Sequence, residues 1–196
     1  MSIGPPRPLD RRVRRTRSAL LAAAVRLVSE RGTTAVPVTD LAEAAELSRQ
    51  LVYQHFGDRD ALLVAAALDL AERELVPPED GLGRPGVLTA VRHFADHRAF
   101  YRAMLSGSCA SALVEALGEL LAPLNRDLVR PAGADAPDPG TLDDLALFVT
   151  AGTGAFINSW LLSDEPHLDV EAFTDRLLRL WRGLGLGVPA PEPERT

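Results

Sequence analysis

Residues 38–56, VTDLAEAAELSRQLVYQHF, constrain the fold of this chain more than any other segment. Their apolar side chains recur at helical spacing in two stretches, residues 38–45 and 49–55, with a three-residue turn between them. Helices of about two turns are unstable alone in water, because few hydrogen bonds offset the unfavourable nucleation step. The pair therefore needs a scaffold of longer helices. The side chains expected to face that scaffold are Leu41, Ala42, Leu47, Val52 and Phe56.

Longer helical patterns lie on both sides of this pair. Residues 10–31 carry apolar side chains at intervals of three and four and stop at Gly32. Asp58 is suited to cap a second long helix, residues 59–76, which a Pro-Pro pair closes. Two short helices held between longer ones match a helix-turn-helix, in which the second short helix enters the major groove of DNA.

The rest of the chain is also typical of helices, since no strand-like alternation of apolar and polar residues persists. Residues 77–86, rich in Pro and Gly, predict a loop between two halves. Helical patterns follow at residues 86–105, where a bend divides two helices, and at 108–130, 141–162 and 168–184. We predict an all-α fold of about nine helices, with an N-terminal helix-turn-helix three-helix domain and a larger C-terminal helical domain.

Charge is distributed unevenly along the chain. The formal net charge is −6, yet residues 1–60 hold ten Arg against seven Asp and Glu. Six of those arginines lie between residues 7 and 17, which indicates local attraction of a polyanion to one end of an acidic protein. Taken alone, the same residues also suit a solvated, disordered arm.

The single cysteine, Cys109, excludes an internal disulfide and a cysteine-rich metal site, and it is typical of the reducing cytoplasm. It lies among small residues, SGSCAS, with no nucleophile elbow around it, which favours a buried apolar role over a catalytic one. No apolar run reaches the ~18 residues needed to cross a bilayer. We therefore expect a cytoplasmic protein without a membrane partner.

The second short helix carries side chains suited to reading base edges in DNA. Arg49 can form a bidentate contact to guanine, and Gln50 or Gln54 can pair with adenine. Leu51 suits an apolar contact to a thymine methyl group. This combination predicts sequence recognition in the major groove.

Phosphate contacts are expected beside these base contacts. Tyr53 and His55 offer hydrogen bonds to phosphate oxygens, and Arg59 at the start of the next helix can hold another phosphate. Ser48 can cap the reading helix, whose N-terminus favours a nearby anion. The alternatives for Tyr53 and His55 are a structural capping role and an acid–base pair. The acid–base pair lacks a further acid or nucleophile at suitable spacing.

These residues carry a resemblance to a known family. The segments TRSALLAAAVRLVSERG, VTDLAEAAELS and LVYQHFGDRDALL, within residues 16–70, resemble the DNA-binding domain of the TetR family of bacterial transcription regulators. The resemblance implies that Tyr53, His55 and Arg59 clamp phosphates and that residues 48–51 face the groove. It also implies a C-terminal half that binds a small molecule and dimerises.

The DNA-binding segment departs from the family pattern at three places. Glu46 stands where the turn usually has glycine, and Pro37 and the residue before it replace the usual threonines. Thr39, one turn further on, can substitute for the lost hydroxyl in a phosphate contact. Gln50 and Leu51 replace a common Gly-Thr or Pro-Thr pair, so we expect a DNA sequence preference particular to this chain.

The resemblance and the helical pattern together predict five parts. These are a disordered arm at residues 1–9, a DNA-binding domain at 10–57, a connecting helix at 58–76, a ligand-binding and dimerisation domain at 77–186, and a flexible tail at 187–196.

The last two helices predict a homodimer. The final helix has a wide apolar stripe, and the helix before it is apolar nearly all round, with small residues that allow close approach. Two such helices from each copy can form a four-helix interface, although each stripe can also pack within its own domain. The expected interface residues are Gly152, Ala155, Phe173, Leu177, Leu180 and Trp181.

A small-molecule site is expected in the same half. Its candidate residues, which also suit an ordinary core, are His93, His97, Phe100, Tyr101, Met104, Phe156, Asn158 and Trp160. His93 and His97 are four residues apart and share one helix face, a spacing that fits two metal ligands. Because no third ligand is evident, no metal and no cofactor is assigned.

Together these features predict a ligand-responsive, DNA-binding transcription regulator and not an enzyme. The expected partners are a palindromic DNA operator, a small-molecule effector and a second copy of the chain. A repressor that the effector releases from its operator fits best. The alternative is a helical scaffold or adaptor that keeps the fold without regulated DNA binding.

Overall fold

The computed structural model describes residues 8–75, 83–126, 128–129 and 138–186. Within those residues the chain forms helices and no strand, which confirms the predicted all-α fold. The helices are α1 (Pro8–Arg31), α2 (Val38–Ala44), α3 (Arg49–Phe56), α4 (Arg59–Leu75), α5 (Arg84–Asp96), α6 (Arg98–Ser106), α7 (Ala110–Asn125), α8 (Pro139–Leu161) and α9 (Val170–Gly183). None of these helices combines the length and the apolar character needed to cross a membrane.

Some predicted segments fall outside the described residues. Helix α1 begins at Pro8, so two residues of the predicted arm are helical and the other seven lie outside the described part. The predicted tail at residues 187–196 and most of the predicted loop at 77–86 also lie outside it.

The first compact unit comprises residues 1–70 and 99–113. Helix α2 packs on α1 and on α3, so the two short helices have the scaffold that their length requires. Among the residues predicted to face inward, Leu41, Ala42 and Val52 are buried, while Leu47 and Phe56 are half-buried. The core around them includes Leu20, Ala24, Val28, Leu62, Leu63, Phe100 and Met104, all with no exposed surface.

The second compact unit comprises residues 71–98 and 114–196. Helix α5 packs against α9 and α8. The Trp160 ring on α8 stacks on Phe173 of α9 with 4.1 Å between ring centroids. Trp181 donates from Nε1 to Thr153 Oγ1 at 3.1 Å, so the buried indole nitrogen has a partner. These contacts join the last two helices.

Arg98, at the bend between α5 and α6, caps the end of α8. Its guanidinium donates to the carbonyl oxygens of Leu161 at 3.1 Å, Ser163 at 2.6 Å and Glu165 at 2.7 Å. Carbonyls at a helix C-terminus have no intrahelical donor, and a cation there interacts favourably with the helix dipole. The predicted bend is therefore confirmed, and it places a structural arginine that the sequence did not single out.

The boundary between the two units differs from the predicted loop. Helix α4 belongs to the first unit up to Leu70 and to the second from Ala71 onward. Residues 99–113, expected in the ligand-binding half, belong to the first unit. Pro- and Gly-rich composition marks connections along the chain, whereas units are defined by packing between distant segments.

Candidate nucleic-acid interface

The turn between α2 and α3 is built on a left-handed residue. Glu46 has a φ of 56°, the only positive φ of a non-glycine among the described residues. Leu47 N–H donates to the Ala42 carbonyl at 2.8 Å, and Glu46 N–H donates to the Glu43 carbonyl at 2.9 Å. This pair of bonds forms a Schellman motif, whose left-handed position is usually glycine. Glu46, which stands where the turn usually has glycine, therefore adopts the backbone conformation that favours glycine.

Helix α3 is anchored on one side and polar on the other. Val52 is fully buried, whereas Tyr53 keeps 55% of its surface exposed. Large aromatic side chains with that exposure offer both a ring and a hydroxyl to a partner. The predicted contact residues on this helix are Arg49, Gln50, Tyr53 and Gln54, which are exposed, and Leu51 and His55, which are half-buried. The structure thus brings six predicted residues together on one short helix.

The N-termini of both short helices lack side-chain caps. Ser48 is at the N-cap position of α3, but its side chain makes no capping hydrogen bond, so the predicted cap is wrong. Pro37 is the N-cap of α2, and it has no side-chain acceptor. The first amides of α3 are therefore open to an outside acceptor such as a phosphate oxygen.

Thr39 is exposed, but its hydroxyl is already used within the chain. Oγ1 donates to Asp40 Oδ1 at 3.1 Å, and Asp40 Oδ2 pairs with Arg31 Nη1 at 2.6 Å. The hydrogen bond from Arg31, assisted by that from Thr39, lowers the pKa of Asp40. Because the Asp40 carboxylate stays charged, Thr39 can bind a phosphate only if its hydroxyl gives up the hydrogen bond to Asp40.

Arg59 follows a well-formed cap. Ala61 N–H donates to Asp58 Oδ1 at 2.8 Å, which confirms Asp58 as the N-cap of α4. Arg59 donates from Nε to Asp60 Oδ1 at 2.7 Å and from Nη2 to Ser108 Oγ at 3.5 Å. The Arg59 hydrogen bond lowers the pKa of Asp60 despite partial burial, so this ion pair persists at neutral pH. A phosphate must compete with Asp60 for Arg59.

Helix α1 adds cations to the same unit. Arg11, Arg12 and Arg15 are exposed on it. The Arg17 guanidinium carbon lies 4.6 Å from the centre of the Phe56 ring, a cation–π contact between α1 and the end of α3. The basic segment seen in the sequence therefore belongs to the same unit as the reading helix.

The residues predicted for an effector site are divided between the two units. Phe100, Tyr101 and Met104 are buried in the first unit. The other candidates, all in the second unit, are His93, His97, Phe156, Asn158 and Trp160. Trp160 and Phe156 lie 4.1 and 4.9 Å from the ring of Phe173, so they are part of the aromatic core between α8 and α9. Contact of these residues with an effector stays a prediction.

His93 and His97 meet a carboxylate that sequence reasoning missed. His93 Nδ1 lies 2.7 Å and His97 Nε2 lies 3.1 Å from Glu74 Oε2. Burial lowers the pKa of His93 even though a carboxylate faces it, so a neutral ring donates from Nδ1. Burial acts to raise the pKa of Glu74, but the two histidine hydrogen bonds outweigh it and hold that pKa below its ordinary value.

The helix geometry explains why Glu74 was missed. Glu74 is in the last turn of α4, and His93 lies nine residues beyond Arg84, the first residue of α5. A short connection predicts neighbouring helices whose adjoining ends meet. Glu74 would then lie near Arg84, about 13 Å along α5 from His93. Instead the C-terminal end of α4 meets the C-terminal end of α5, and no local sequence pattern predicts that arrangement.

The residues predicted for a dimer interface fall into two classes. Phe173, Leu177 and Trp181 are buried within the chain, at 4%, 2% and 4% exposure, and are core residues of the second unit. With so little exposed surface they serve the core of their own unit, and their contact with a partner stays a prediction. Gly152, Ala155 and Leu180 are exposed. Exposed residues on α8 and at its C-cap form an outer stripe at helical spacing, consisting of Leu145, Phe148, Gly152, Ala155, Ser159 and Leu162.

Cys109 has no exposed surface. Burial, with the nearby carboxylate of Asp60 as a second cause, raises the pKa of its thiol. A neutral, buried thiol is a poor nucleophile, so the small apolar role predicted for this cysteine is supported.

Comparisons of the sequence connect the N-terminal unit to known regulators. Residues 20–66 match the sequence model described as bacterial regulatory proteins, tetR family. The HTH-type transcriptional regulator HbdR of Aromatoleum sp. (strain CIB) is 34% identical over 76 residues, which cover 37% of this chain and 33% of that protein. The match thus spans about a third of the relative's length.

Solved structures share the fold over most of the chain. The dihydroxyacetone kinase operon activator DhaS has a TM-score of 0.58 and 16% identity, covering 86% of this chain and 95% of that one. The TetR family repressor AlkX of a Dietzia species, implicated in biodegradation of n-alkanes, has a TM-score of 0.55 and 20% identity, covering 84% and 97%. A tetR-family regulator from Streptomyces coelicolor has a TM-score of 0.56 and 22% identity, covering 86% and 79%. At these identities the likeness concerns the fold alone.

Proposed function

Because residues 20–66 match the sequence model of the tetR family of bacterial regulatory proteins, we propose that the chain is a DNA-binding transcription regulator of that family. That family consists of regulators and not enzymes, in agreement with the prediction for this chain. The observation that carries the proposal is the exposure of Arg49, Gln50 and Tyr53 on α3, a helix that the fully buried Val52 anchors to its unit. A short helix held rigidly by one face offers guanidinium and amide groups in the geometry that base edges require.

The geometry divides the α3 residues into two roles. Arg49 and Gln50 are in the first turn, the part of a recognition helix that reaches base edges. Tyr53 and His55 lie further along and suit phosphate oxygens, as do the uncapped first amides of the helix. Arg59 contributes less than the resemblance implies, because Asp60 already holds its guanidinium.

We infer a homodimer that packs through the outer stripe of α8. Phe148 is 72% exposed there, and Gly152 and Ala155 in the same stripe allow two helices to approach closely. Exposed Leu180 on α9 extends the apolar surface. A two-fold axis through this stripe supplies two α3 helices for the two halves of a palindromic operator.

Sedimentation velocity tests the dimer with a matched pair of variants. Phe148→Glu introduces a charge in the outer stripe, and we expect it to shift the chain from dimer to monomer. Val114→Glu on α7 changes another exposed apolar residue, 49% accessible, and should leave the dimer intact. A dimeric Phe148→Glu variant contradicts the assignment of the stripe.

We further propose that a small molecule controls operator binding. His97, Phe156 and Asn158 in the second unit are half-buried, so a ligand can reach them. The dimer would have one state whose α3 helices fit the operator and another in which they are separated differently. A ligand that binds the second state more tightly lowers operator affinity, by an amount set by the difference between its affinities for the two states.

DNA binding is tested once the operator is selected from source genomic fragments with the purified full chain. In anisotropy titrations of that operator, we expect the double variant Tyr53→Phe/His55→Ala to bind at least ~10-fold more weakly, because two hydrogen bonds to charged oxygens are lost. Arg179→Ala, which removes an exposed cation from α9, is the control and should bind as wild type does. Unchanged affinity of the double variant refutes the phosphate assignment.

Salt dependence distinguishes the regulator from a helical scaffold. An operator binder loses affinity steeply as salt rises and prefers its own sequence to random DNA by at least ~1,000-fold. A scaffold or adaptor with the same fold shows neither property.

A further inference from the structure

We propose that Glu74, His93 and His97 form a Zn²⁺-binding site in the second unit. One ligand atom from each residue, a carboxylate oxygen and two imidazole nitrogens, lies within 4.8 Å of the other two. Two histidines and one glutamate are a ligand set that zinc uses in proteins when a water completes the coordination. The site shares His97 with the residues proposed to contact an effector, but Zn²⁺ binding is measured without DNA or effector, so its failure would leave the proposed function untouched.

The positions of the three ligand atoms fit a small tetrahedral ion. With metal–ligand bonds of ~2.1 Å, the ligand atoms of an ideal tetrahedron are about 3.4 Å apart. The carboxylate oxygen Oε2 is now 2.7 Å from His93 Nδ1 and 3.1 Å from His97 Nε2. Shifts of about 1 Å, within the reach of side-chain rotations, would admit the ion.

The helices fix two of the ligands in advance. His93 and His97 are one turn apart at the end of α5, with ring centroids 5.0 Å apart. The His93 side chain is 2% exposed, so packing limits its rotation. A preorganised pair of imidazoles lowers the entropy that binding must overcome.

The same site is open on one side. The side chains of Glu74 and His97 are 39% and 28% exposed, so an ion can enter and a water can occupy the fourth position. On binding, metal bonds to Glu74, His93 and His97 replace the hydrogen bonds that the ring nitrogens donate to the Glu74 carboxylate. The single proton of the neutral His93 ring then lies on Nε2.

The donor set also selects the kind of cation. Ca²⁺ and Mg²⁺ require six or more ligands, nearly all oxygen, and this group supplies a single carboxylate. Imidazole nitrogen suits zinc and its late first-row neighbours. Zn²⁺ is therefore the probe, with Mg²⁺ and Ca²⁺ as controls.

The test measures Zn²⁺ affinity of the untagged, chelator-treated full chain by competition with a chromophoric indicator. Wild type should bind one Zn²⁺ per chain and neither Mg²⁺ nor Ca²⁺. Glu74→Gln keeps an acceptor oxygen for His93, and His97→Asn alters a half-exposed ring, so both variants should keep the helical circular dichroism of wild type. Each should lose at least ~10-fold in affinity, since loss of mere supporting contacts already costs 10–100-fold.

Two control variants make the same substitutions outside the proposed site. Glu72→Gln changes an exposed glutamate of α4, two residues before Glu74, and His167→Asn changes an exposed histidine. Both should bind Zn²⁺ as wild type does. Substitution with Co²⁺ should give wild type the visible absorption of a four-coordinate ion, and Glu74→Gln should lose it. The proposal is overturned if wild type binds no Zn²⁺, or if Glu74→Gln and His97→Asn bind it as well as the controls.

Discussion

Replacement of Glu46 by glycine should stabilise the protein, although it removes a side chain. A left-handed backbone costs an ordinary L-residue about 1–2 kcal/mol, and glycine escapes that strain. Glycine loses more chain entropy on folding, which offsets about 0.5–1 kcal/mol. The balance is a gain of about 0–1.5 kcal/mol in the free energy of unfolding, centred near ~0.75 kcal/mol. Both hydrogen bonds of the Schellman motif use backbone atoms, so the substitution leaves them in place.

Thermal unfolding followed by far-UV circular dichroism measures this gain. For a chain of this length, 1 kcal/mol corresponds to a rise of ~2–4 °C in Tm. Tryptophan fluorescence is unsuitable, because Trp160 and Trp181 both belong to the second unit and Glu46 to the first. Hydrogen exchange at the Leu47 amide, which donates to Ala42, provides a local readout of the same turn.

The comparison with Glu46→Ala decides whether backbone strain is the cause. Alanine removes the carboxylate but keeps the Cβ atom, so its stability should stay within ~0.5 kcal/mol of wild type. Equal gains for alanine and glycine would refute the strain argument and point to charge instead. Glu46→Gln completes the set: it should not raise Tm, but it should raise affinity for DNA at low salt, an effect that added salt diminishes.

Three further predictions concern the packing of each unit. Gly107→Ala should lower the free energy of unfolding, measured in urea, by about 1–3 kcal/mol. The new Cβ would overlap the Thr34 hydroxyl and lie 2.9 Å from Thr34 Cγ2. Gly118→Ala, whose new Cβ has no neighbour within 4 Å among the described residues outside its own helix, should instead raise the free energy of unfolding by about 0.5–1 kcal/mol. Arg98→Lys should lose about 1–2 kcal/mol, since an ammonium cannot reach three carbonyls at once, and wild-type stability of this variant would show that the cap of α8 is dispensable. The free energy of unfolding should fall as pH rises above about 9, because the unfolded Cys109 thiol ionises near its ordinary pKa of 9.0 while the folded thiol, whose pKa is raised, stays protonated. Cys109→Ser should lack that component, and an unchanged pH profile in this variant would contradict the assignment.

The parts of the fold that depend on local chemistry were predictable from the sequence. Asp58 as an N-cap and a demanding backbone at Glu46 follow from rules that involve a few consecutive residues. The exposed face of α3 follows from helical periodicity around Val52. Contacts between distant segments, such as Glu74 with His93, depend on how helices cross, and periodicity contains no information about crossing.

The residues predicted for a dimer interface show how two kinds of apolar helix differ. Helix α9 has one apolar stripe, and Phe173, Leu177 and Trp181 within it cover the core of their own unit. Helix α8 is apolar nearly all round, and its inner face, with residues such as Ala146 and Ile157, suffices for that same core. A helix with one stripe buries most of it within its own domain, as α9 does except at the exposed Leu180. A helix that is apolar nearly all round keeps a second apolar face, which is either exposed to water or buried by a partner. The sequence signal for an interface is therefore the pattern of α8, which is apolar nearly all round, and not the single stripe of α9. Substitution of the exposed Phe148 tests that inference.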